Sequence, residues 1–508
     1  MAAAMTPAPG DTRLTAERRR RDVEALAAGE VVDVLVIGGG VTGAGVALDA
    51  ASRGLSVALV EKRDLAAGTS RWSSKLAHGG LRYIAAGQVG VAWESAVERN
   101  RLATVIAPHL IRPMPFLMPL YPWYPHGGRA VSRFLFGIAD GLRAASRTPG
   151  WMPRTSWIDG ERTRGMVPQI GAARGSYVHV DGALEDDARL VVAIARTAAG
   201  LGARIVTHCA AIDIGRDGAV VSDELTGAPY QVKARAVIVA AGVWSGGLVP
   251  DVPLRPSKGA HLVLPAEALG SPTAAFNVLL PGSINRFVFG LPRPDETVLV
   301  GLTDDAVDSI DDEPAVTAED ERFLLETLST GLSRPLSAGD VIGRYAGLRP
   351  LLGGGEGATS ADISRRHALL ERDGVLVIVG GKLTTYRRMA QDAVDRATGM
   401  LGVTTPCRTG SLPLVGAAAR PDADAPRLRR RFGAEADLVA EGAPHEVVAE
   451  GAPVLRAEVE WALAAEGAVT AEDVLDRRLR LDLVPAWRAA AAPYVEDRLA
   501  SRNKRLAK

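Results

Sequence analysis

With 508 residues, 47% hydrophobic and 23% charged, the chain exceeds what one core usually organises and has a globular composition, so two or three folded domains are expected rather than a disordered or fibrous protein. Lys plus Arg and Asp plus Glu both number 59; this balance disfavours nucleic acid as a partner and requires any anion selectivity to be local. Cys209 and Cys407, the two cysteines, argue against a disulfide framework or structural zinc, so no metal is expected and a reducing, cytoplasmic compartment fits best.

The first thirty residues, Met1 to Glu30, contain the basic run Arg18 to Arg21 but lack the apolar stretch of a secretory signal, and read as a tail or short helix. Val31 to Ile37 is almost continuously apolar, as in a parallel strand buried on both faces, and Gly38 to Gly40 ends it. Thr42 to Arg53 then reads as a helix and Val57 to Val60 as a second strand. Within this βαβ unit, Gly38, Gly40 and Gly43 form G-x-G-x-x-G, in which the first permits the turn, the second lets the backbone approach a pyrophosphate and the third packs helix on strand. Glu61 ends the second strand where a carboxylate accepts from ribose hydroxyls, and its charge disfavours a 2′-phosphate. The motif alone does not separate NAD from FAD.

Further along, Ala236 to Gly242 and Val375 to Gly381 repeat the pattern of an apolar strand ending in glycine, so one nucleotide domain assembled from separated pieces is expected. The Pro- and aromatic-rich stretch Pro113 to Pro125 and the strand-like Asn285 to Leu302 belong to a second, substrate-facing domain. Beyond Thr405 the chain turns Ala-, Arg- and Glu-rich; Leu455, Val459 and Leu463 recur at helical spacing, and Thr470 precedes Asp473 as in a capping box. The expected architecture is α/β: a Rossmann-like FAD-binding domain (31–105, 175–250, 340–400) interleaved with an antiparallel-sheet substrate domain (106–174, 251–339), a tail at 1–30 and a C-terminal α-helical domain at 405–508. No run approaches the ~20 apolar residues of a spanning helix. The basic stretches Arg427 to Arg431 and Arg477 to Arg480 are read as solvated helix faces, with contact to anionic lipid as the alternative.

Gly380-Gly-Lys-Leu-Thr-Thr385 ends a strand and opens a helix whose N–H groups suit a negatively charged reduced flavin, which favours FAD. Together with Val36 to Gly45, Gly68 to Tyr83, Glu185 to Leu190, Gly301 to Asp304 and Tyr345 to Pro350, it gives the chain a close resemblance to FAD-dependent glycerol-3-phosphate dehydrogenases of the glycine-oxidase-like flavoproteins. The resemblance runs from about Asp33 into the C-terminal region. It implies noncovalent FAD, oxidation of sn-glycerol 3-phosphate at C2 to dihydroxyacetone phosphate, and a quinone as electron acceptor. By matching position, Arg82, Tyr83, Arg349 and Lys382 line the substrate pocket. Thr69, Ser70, Ser74, Lys75, His78, Gly242, Gly381, Leu383 and Thr384 join the Gly38 loop and Glu61 around FAD; for His78 a role in orienting its loop is an equal reading.

Physical chemistry agrees in part: a phosphate dianion is best held by forked, permanently charged guanidinium groups such as Arg82 and Arg349. Hydride loss from C2 requires a base near the hydroxyl, for which Lys382 and His261 are the candidates. Two departures from the family stand out: Ala260 replaces serine in Lys258-Gly-Ala-His261, and Phe287 to Pro292 replaces a segment carrying Ile-Pro-Trp. The alternatives are a related oxidase that uses oxygen and a noncatalytic nucleotide-binding protein. A cytoplasmic enzyme in peripheral contact with the inner membrane follows from the quinone acceptor; a homodimer is left open.

Overall fold

The computed structural model describes residues 10–79, 88–123, 128–145, 151–280, 286–307, 309–310, 313–353, 366–422, 424–441 and 445–506. Its first sheet is centred on Val31–Ile37, flanked in parallel by Pro229–Val239 and Val57–Val60, with Val34 in register with both Ala236 and Val57. Beyond Val57–Val60 lies Arg204–Val206; beyond Pro229–Val239 lies Val375–Gly380, then His367–Arg372 at the edge. The hairpin Cys209–Gly215 and Gly218–Asp223 continues onto Pro229–Val239. Val32, Val34, Leu35 and Val36 are fully buried, as a run of apolar residues demands when helices cover one face and the Cys209–Asp223 hairpin with Leu26 covers the other. The Val41–Ser52 helix covers one face, with Asp187–Gly200 and Tyr386–Leu401 packed beside it around a shared core.

The second sheet runs in the order Asp305–Ala306, Leu254–Pro265, Thr297–Gly301, Phe287–Pro292, Ala275–Leu279, Ile111–Pro119, Gly175–Leu184, Leu76–Ala77. Gly343–Leu352 pairs along Leu254–Pro265, and Ser156–Asp159 along Gly175–Leu184. Side chains alternate across it. Ala260, Leu262 and Leu264 join Phe276, Val278, Val288 and Val300 in a core closed by Leu324 and Leu328 of the Ala318–Ser329 helix. The intervening positions, Gly259 and His261 among them, border a cavity shared with the first sheet.

Three expectations are corrected. Residues 16–27 form a capped helix with Leu26 fully buried, and Arg19 reaches Asp223 at 2.8 Å, so of the two readings of the N-terminal segment the short helix holds and the tail does not, and the helix packs on the first sheet. Gly175–Leu184 and Gly343–Leu352, assigned to the cofactor portion, are strands of the second sheet, because Phe116 pairs with His179 and His261 with Tyr345. The arginine-rich stretches are for the most part not solvated faces, exposed Arg429 beside Asp437 being the exception. Arg477 and Arg478 converge on buried Asp64 at 3.1 and 2.6 Å, Arg480 pairs with Asp482 at 2.8 Å, and Arg427 and Arg431 with Glu458 at 2.7 and 3.0 Å. Asp437 and Asp482 apart, their partners lie 27 or more residues away in sequence, so composition gave no sign of them.

The C-terminal region has its own core, including Val459, Leu463, Val474, Leu475 and Val495. Thr470 and Asp473 exchange reciprocal backbone-to-side-chain bonds, as their spacing predicts. Arg71–Asp482 and Arg189–Glu466 add to the ion pairs that fasten this region to the rest of the chain.

Candidate active site

A cavity of about 920 Å³ lies between the carboxyl ends of the first-sheet strands and one face of the second sheet, the position in which open α/β folds hold extended ligands. Three strand ends contribute glycine turns: Gly38 and Gly40, Gly242, and Gly381 all border it. Gly38 has φ +113°, and a Cβ there would lie 2.7 Å from the Ala240 carbonyl oxygen, so the turn and the approach of the two strands both require glycine. Gly43 does not border the cavity; it sits against the Gly38 carbonyl, where a Cβ would meet that oxygen at 1.9 Å, in the packing role its spacing assigns.

Glu61 borders the cavity, its Oε2 accepting from Gly39 N at 2.6 Å and its Oε1 from Arg63 N at 2.9 Å. Burial pushes its pKa up, while these two N–H donors favour the charged form. Ser70 Oγ accepts from Val41 N at 2.8 Å and so caps the start of the dinucleotide helix. Thr69 donates to Leu348 O at 2.6 Å, which ties this segment to the second sheet. Thr69, Ser70, Ser74 and His78 all line the cavity.

Lys75 does not. Its Nζ is fully buried, 2.8 Å from both carboxylate oxygens of Asp187 and 2.7 Å from Arg71 O, and burial lowers its pKa to about 8. Asp187 also accepts from Ser73 N and Oγ, so the lysine expected at the cofactor instead pins the Trp72–Ser74 segment to the Asp187–Gly200 helix. Lys75 has φ +56°, in the left-handed region that residues with a side chain seldom adopt.

Across the cavity, Leu383 and Thr384 begin the turn that leads into the Tyr386–Leu401 helix, and Lys382 at its start hydrogen-bonds Ser95 Oγ. These N–H groups and the cation place positive potential at this end. On the second sheet, Arg349 is held by Asp304 Oδ1 at 3.1 Å, Ser257 Oγ at 3.1 Å, Lys258 O at 3.2 Å and Thr303 O at 3.0 Å. It lies across Gly259, where a Cβ would stand 2.1 Å from its Nη2. His261 lies over Gly301 in the same way, with a hypothetical Cβ 2.5 Å from its ring.

His261 Nε2 is 2.9 Å from Ser74 Oγ, and its ring stacks on Tyr345 with centroids 4.6 Å apart and planes 7° apart. Burial, then the nearby charges of Arg349 and Lys75, hold its pKa well below the ordinary histidine range, so the imidazole is neutral. Tyr345 in turn stacks on Trp72 at 5.5 Å, and Arg71 and Arg480 approach the Trp72 ring at 4.0 and 5.1 Å.

The structure therefore gathers Gly38, Gly40, Glu61, Thr69, Ser70, Ser74, His78, Gly242, His261, Arg349, Gly381, Lys382, Leu383 and Thr384 around one cavity. Arg82 and Tyr83 lie outside the described residues. Sequence reasoning did not single out Trp72, Tyr345, Trp244 or the wall formed by His179 and Asn277. The first two lie inside recognised motifs; Asn277 and His179 lie in none, and only strand pairing brings them here. The glycine-lined crevice with N–H donors at both ends fits FAD.

Comparison with known proteins agrees. A family model described as FAD dependent oxidoreductase matches residues 33–387, and one described as the C-terminal domain of alpha-glycerophosphate oxidase matches residues 377–504. The chain is 48% identical to glycerol-3-phosphate dehydrogenase 1 of Mycobacterium bovis over 96% of its own length and 99% of the relative's. Among solved structures it resembles a glycerol-3-phosphate dehydrogenase from Bacillus halodurans complexed with FAD, with TM-score 0.72, 26% identity and coverage of 96% and 94% of the two chains. It also shares the fold of L-alpha-glycerophosphate oxidase from Mycoplasma pneumoniae, with TM-score 0.58, 18% identity and coverage of 76% and 99%. The chain belongs to the FAD-dependent oxidoreductase family, in the branch that carries the C-terminal domain of alpha-glycerophosphate oxidase, and its cofactor is FAD.

Proposed function

We propose that the protein oxidises sn-glycerol 3-phosphate at C2 to dihydroxyacetone phosphate and delivers the two electrons to a quinone. The observation that carries the reading is the immobilised Arg349 guanidinium in one cavity with neutral His261 and with Lys382. The names and near full-length match of the mycobacterial relatives support the same substrate.

FAD, when bound, supplies the hydride acceptor at flavin N5. Arg349 is fixed by four hydrogen bonds before any ligand arrives, so little conformational entropy remains to be lost when it meets a phosphate. Each charge-assisted bond it makes contributes about 1.5–3 kcal/mol. Lys382 adds a second positive charge at the opposite wall, and Arg82 and Tyr83 complete the set implied by the family motif. His261 Nε2 takes the proton of the C2 hydroxyl, which replaces Ser74 Oγ as its hydrogen-bond partner. Tyr345, stacked on the ring, keeps the imidazole plane fixed while this happens.

The quinone acceptor entails peripheral contact with the cytoplasmic face of the inner membrane. Among the described residues no helix is long and apolar enough to cross a bilayer. The Arg477 to Arg480 stretch is committed to internal ion pairs, so lipid contact has to use other surfaces. Flotation with anionic vesicles at low salt tests it, and absence of the protein from the lipid fraction rejects it.

The central test is the visible spectrum of the purified protein before and after anaerobic addition of glycerol 3-phosphate. Bleaching of a flavin band supports the reading; a preparation that retains the band unchanged overturns it. Peroxide released in air at the rate of substrate consumption identifies the oxidase alternative.

A further inference from the structure

The cavity has a second lobe, which the reaction at His261 and Arg349 does not use. Its walls are Phe116 and Met118 from one strand, His179 from the next, Leu135 and Phe136 from the Gly128–Ala145 helix, and Asn277. His179 lies five strands and Asn277 three strands from His261 in the second sheet, separations of about 24 Å and about 14 Å at the usual ~4.8 Å between strands. A three-carbon phosphate held by Arg349 cannot reach across either distance.

The lobe is mostly aromatic and apolar; Ser132 and Asp181, the latter paired with Arg99, also border it, and two further polar groups lack a hydrogen-bond partner among the described residues. His179 stacks on Phe116 with centroids 5.4 Å apart and leans on Phe136 at 5.3 Å, yet its Nδ1 is buried without a hydrogen-bond partner. Asn277 Oδ1 is likewise buried and unpartnered. Burial holds the His179 pKa down at about 4, leaving a neutral ring with one donor and one acceptor nitrogen. Buried polar atoms of this kind are uncommon and costly unless a ligand meets them. Walls that stack, with isolated polar groups inside, suit a flat apolar ring bearing carbonyl oxygens. The lobe also adjoins the Lys382 end of the cofactor crevice. Lys382 bonds Ser95, Arg99 one turn further along that helix pairs with Asp181 at 2.7 Å, and Asp181 is two residues from His179.

We propose that this lobe is the docking site of the quinone ring, with His179 and Asn277 hydrogen-bonding its carbonyl oxygens. The inference rests on the quinone reading given above and assigns it a place. In the overall balance, two electrons and two hydrogens leave the C2–H and O–H bonds of glycerol 3-phosphate and end on the two quinone oxygens, giving a hydroquinone and dihydroxyacetone phosphate.

The test uses the FAD-loaded protein and its His179→Phe and Asn277→Leu variants, which keep the shape of the wall and remove the polar atoms. Two quantities are measured: the dissociation constant of a short-chain quinone by titration calorimetry, and the rates of the two half-reactions in stopped flow. Each variant is expected to weaken quinone binding and slow quinone-driven reoxidation about tenfold, the effect of one lost hydrogen bond, while anaerobic flavin reduction by glycerol 3-phosphate changes less than about twofold. Unchanged quinone binding and reoxidation in both variants overturn the assignment, as does displacement of quinone by glycerol 3-phosphate, which would put both in one pocket. Wild-type protein that neither binds quinone nor is reoxidised by it overturns the acceptor reading itself.

Discussion

Arg349 and His261 obtain their positions from opposite kinds of contact. The guanidinium is held by a carboxylate, a hydroxyl and two carbonyls; the imidazole is held by a stacked ring and a single hydroxyl. Replacing Arg349 by alanine removes the charge that holds the phosphate and is expected to lower kcat/KM for glycerol 3-phosphate by about a hundredfold or more. FAD content should change little; steady-state kinetics with unaltered KM and turnover would exclude Arg349 as the phosphate ligand. For His261 the sign of the pH effect is fixed by its depressed pKa: the neutral form, the one able to accept a proton, persists throughout the neutral range and is lost only in acid. The wild-type kcat/KM profile should therefore show no histidine break near the unperturbed value of about 6.5. His261→Asn should lower kcat by about 10²–10⁴-fold. A break near neutrality that vanishes in the variant would contradict a neutral His261.

At the scale of elements, the site depends on alternation within strands and on glycines that leave room for side chains crossing them. Gly259→Ala would drive a Cβ to 2.1 Å from Arg349 Nη2. Because the strand is buried and paired on both sides, the arginine rather than the backbone should yield. The expected outcome is a raised KM for glycerol 3-phosphate with flavin binding retained, measured by titration and by the flavin-to-protein absorbance ratio. The G-x-G-x-x-G turn, Glu61 and the helix opening after Gly381 were legible in the sequence because each is a local device, complete within a few residues of chain. The environment of Lys75 was not: its motif is local, but Asp187, which turns it inward, is 112 residues away.

Across the whole molecule, the C-terminal region is joined to the catalytic part by buried charge pairs. Asp64 accepts from Arg477 and Arg478, Glu466 pairs with Arg189, and Arg431 comes within 3.7 Å of Asp186, while Glu458 holds Arg427 and Arg431 inside the C-terminal region. Asp64→Asn strips buried Arg478 of its carboxylate partner and leaves Arg477 with Asp473 alone, and should cost about 3–5 kcal/mol, read as a lower denaturant midpoint; an unchanged midpoint would mean that these pairs do not hold the interface. Burial pushes Glu466 and Glu458 up, but Arg189 and Arg427 outweigh it and hold both below the ordinary carboxylate range. Their stabilisation is thus complete above an unfolded pKa of about 4.3 and is lost as the pH falls through the lower folded values. Loosening of the C-terminal region below about pH 4, followed by limited proteolysis, is the expected consequence.

Local patterns in the chain were enough to locate the cofactor crevice and the family, because a glycine turn, an acidic strand end and a helix opening are short-range devices whose geometry the backbone enforces. The direction taken by Lys75, the burial of the arginine-rich stretches and the second lobe around His179 were decided only by tertiary structure. Each depends on pairing between strands or ions far apart in the chain, and such partners leave no periodic trace in the residues on either side.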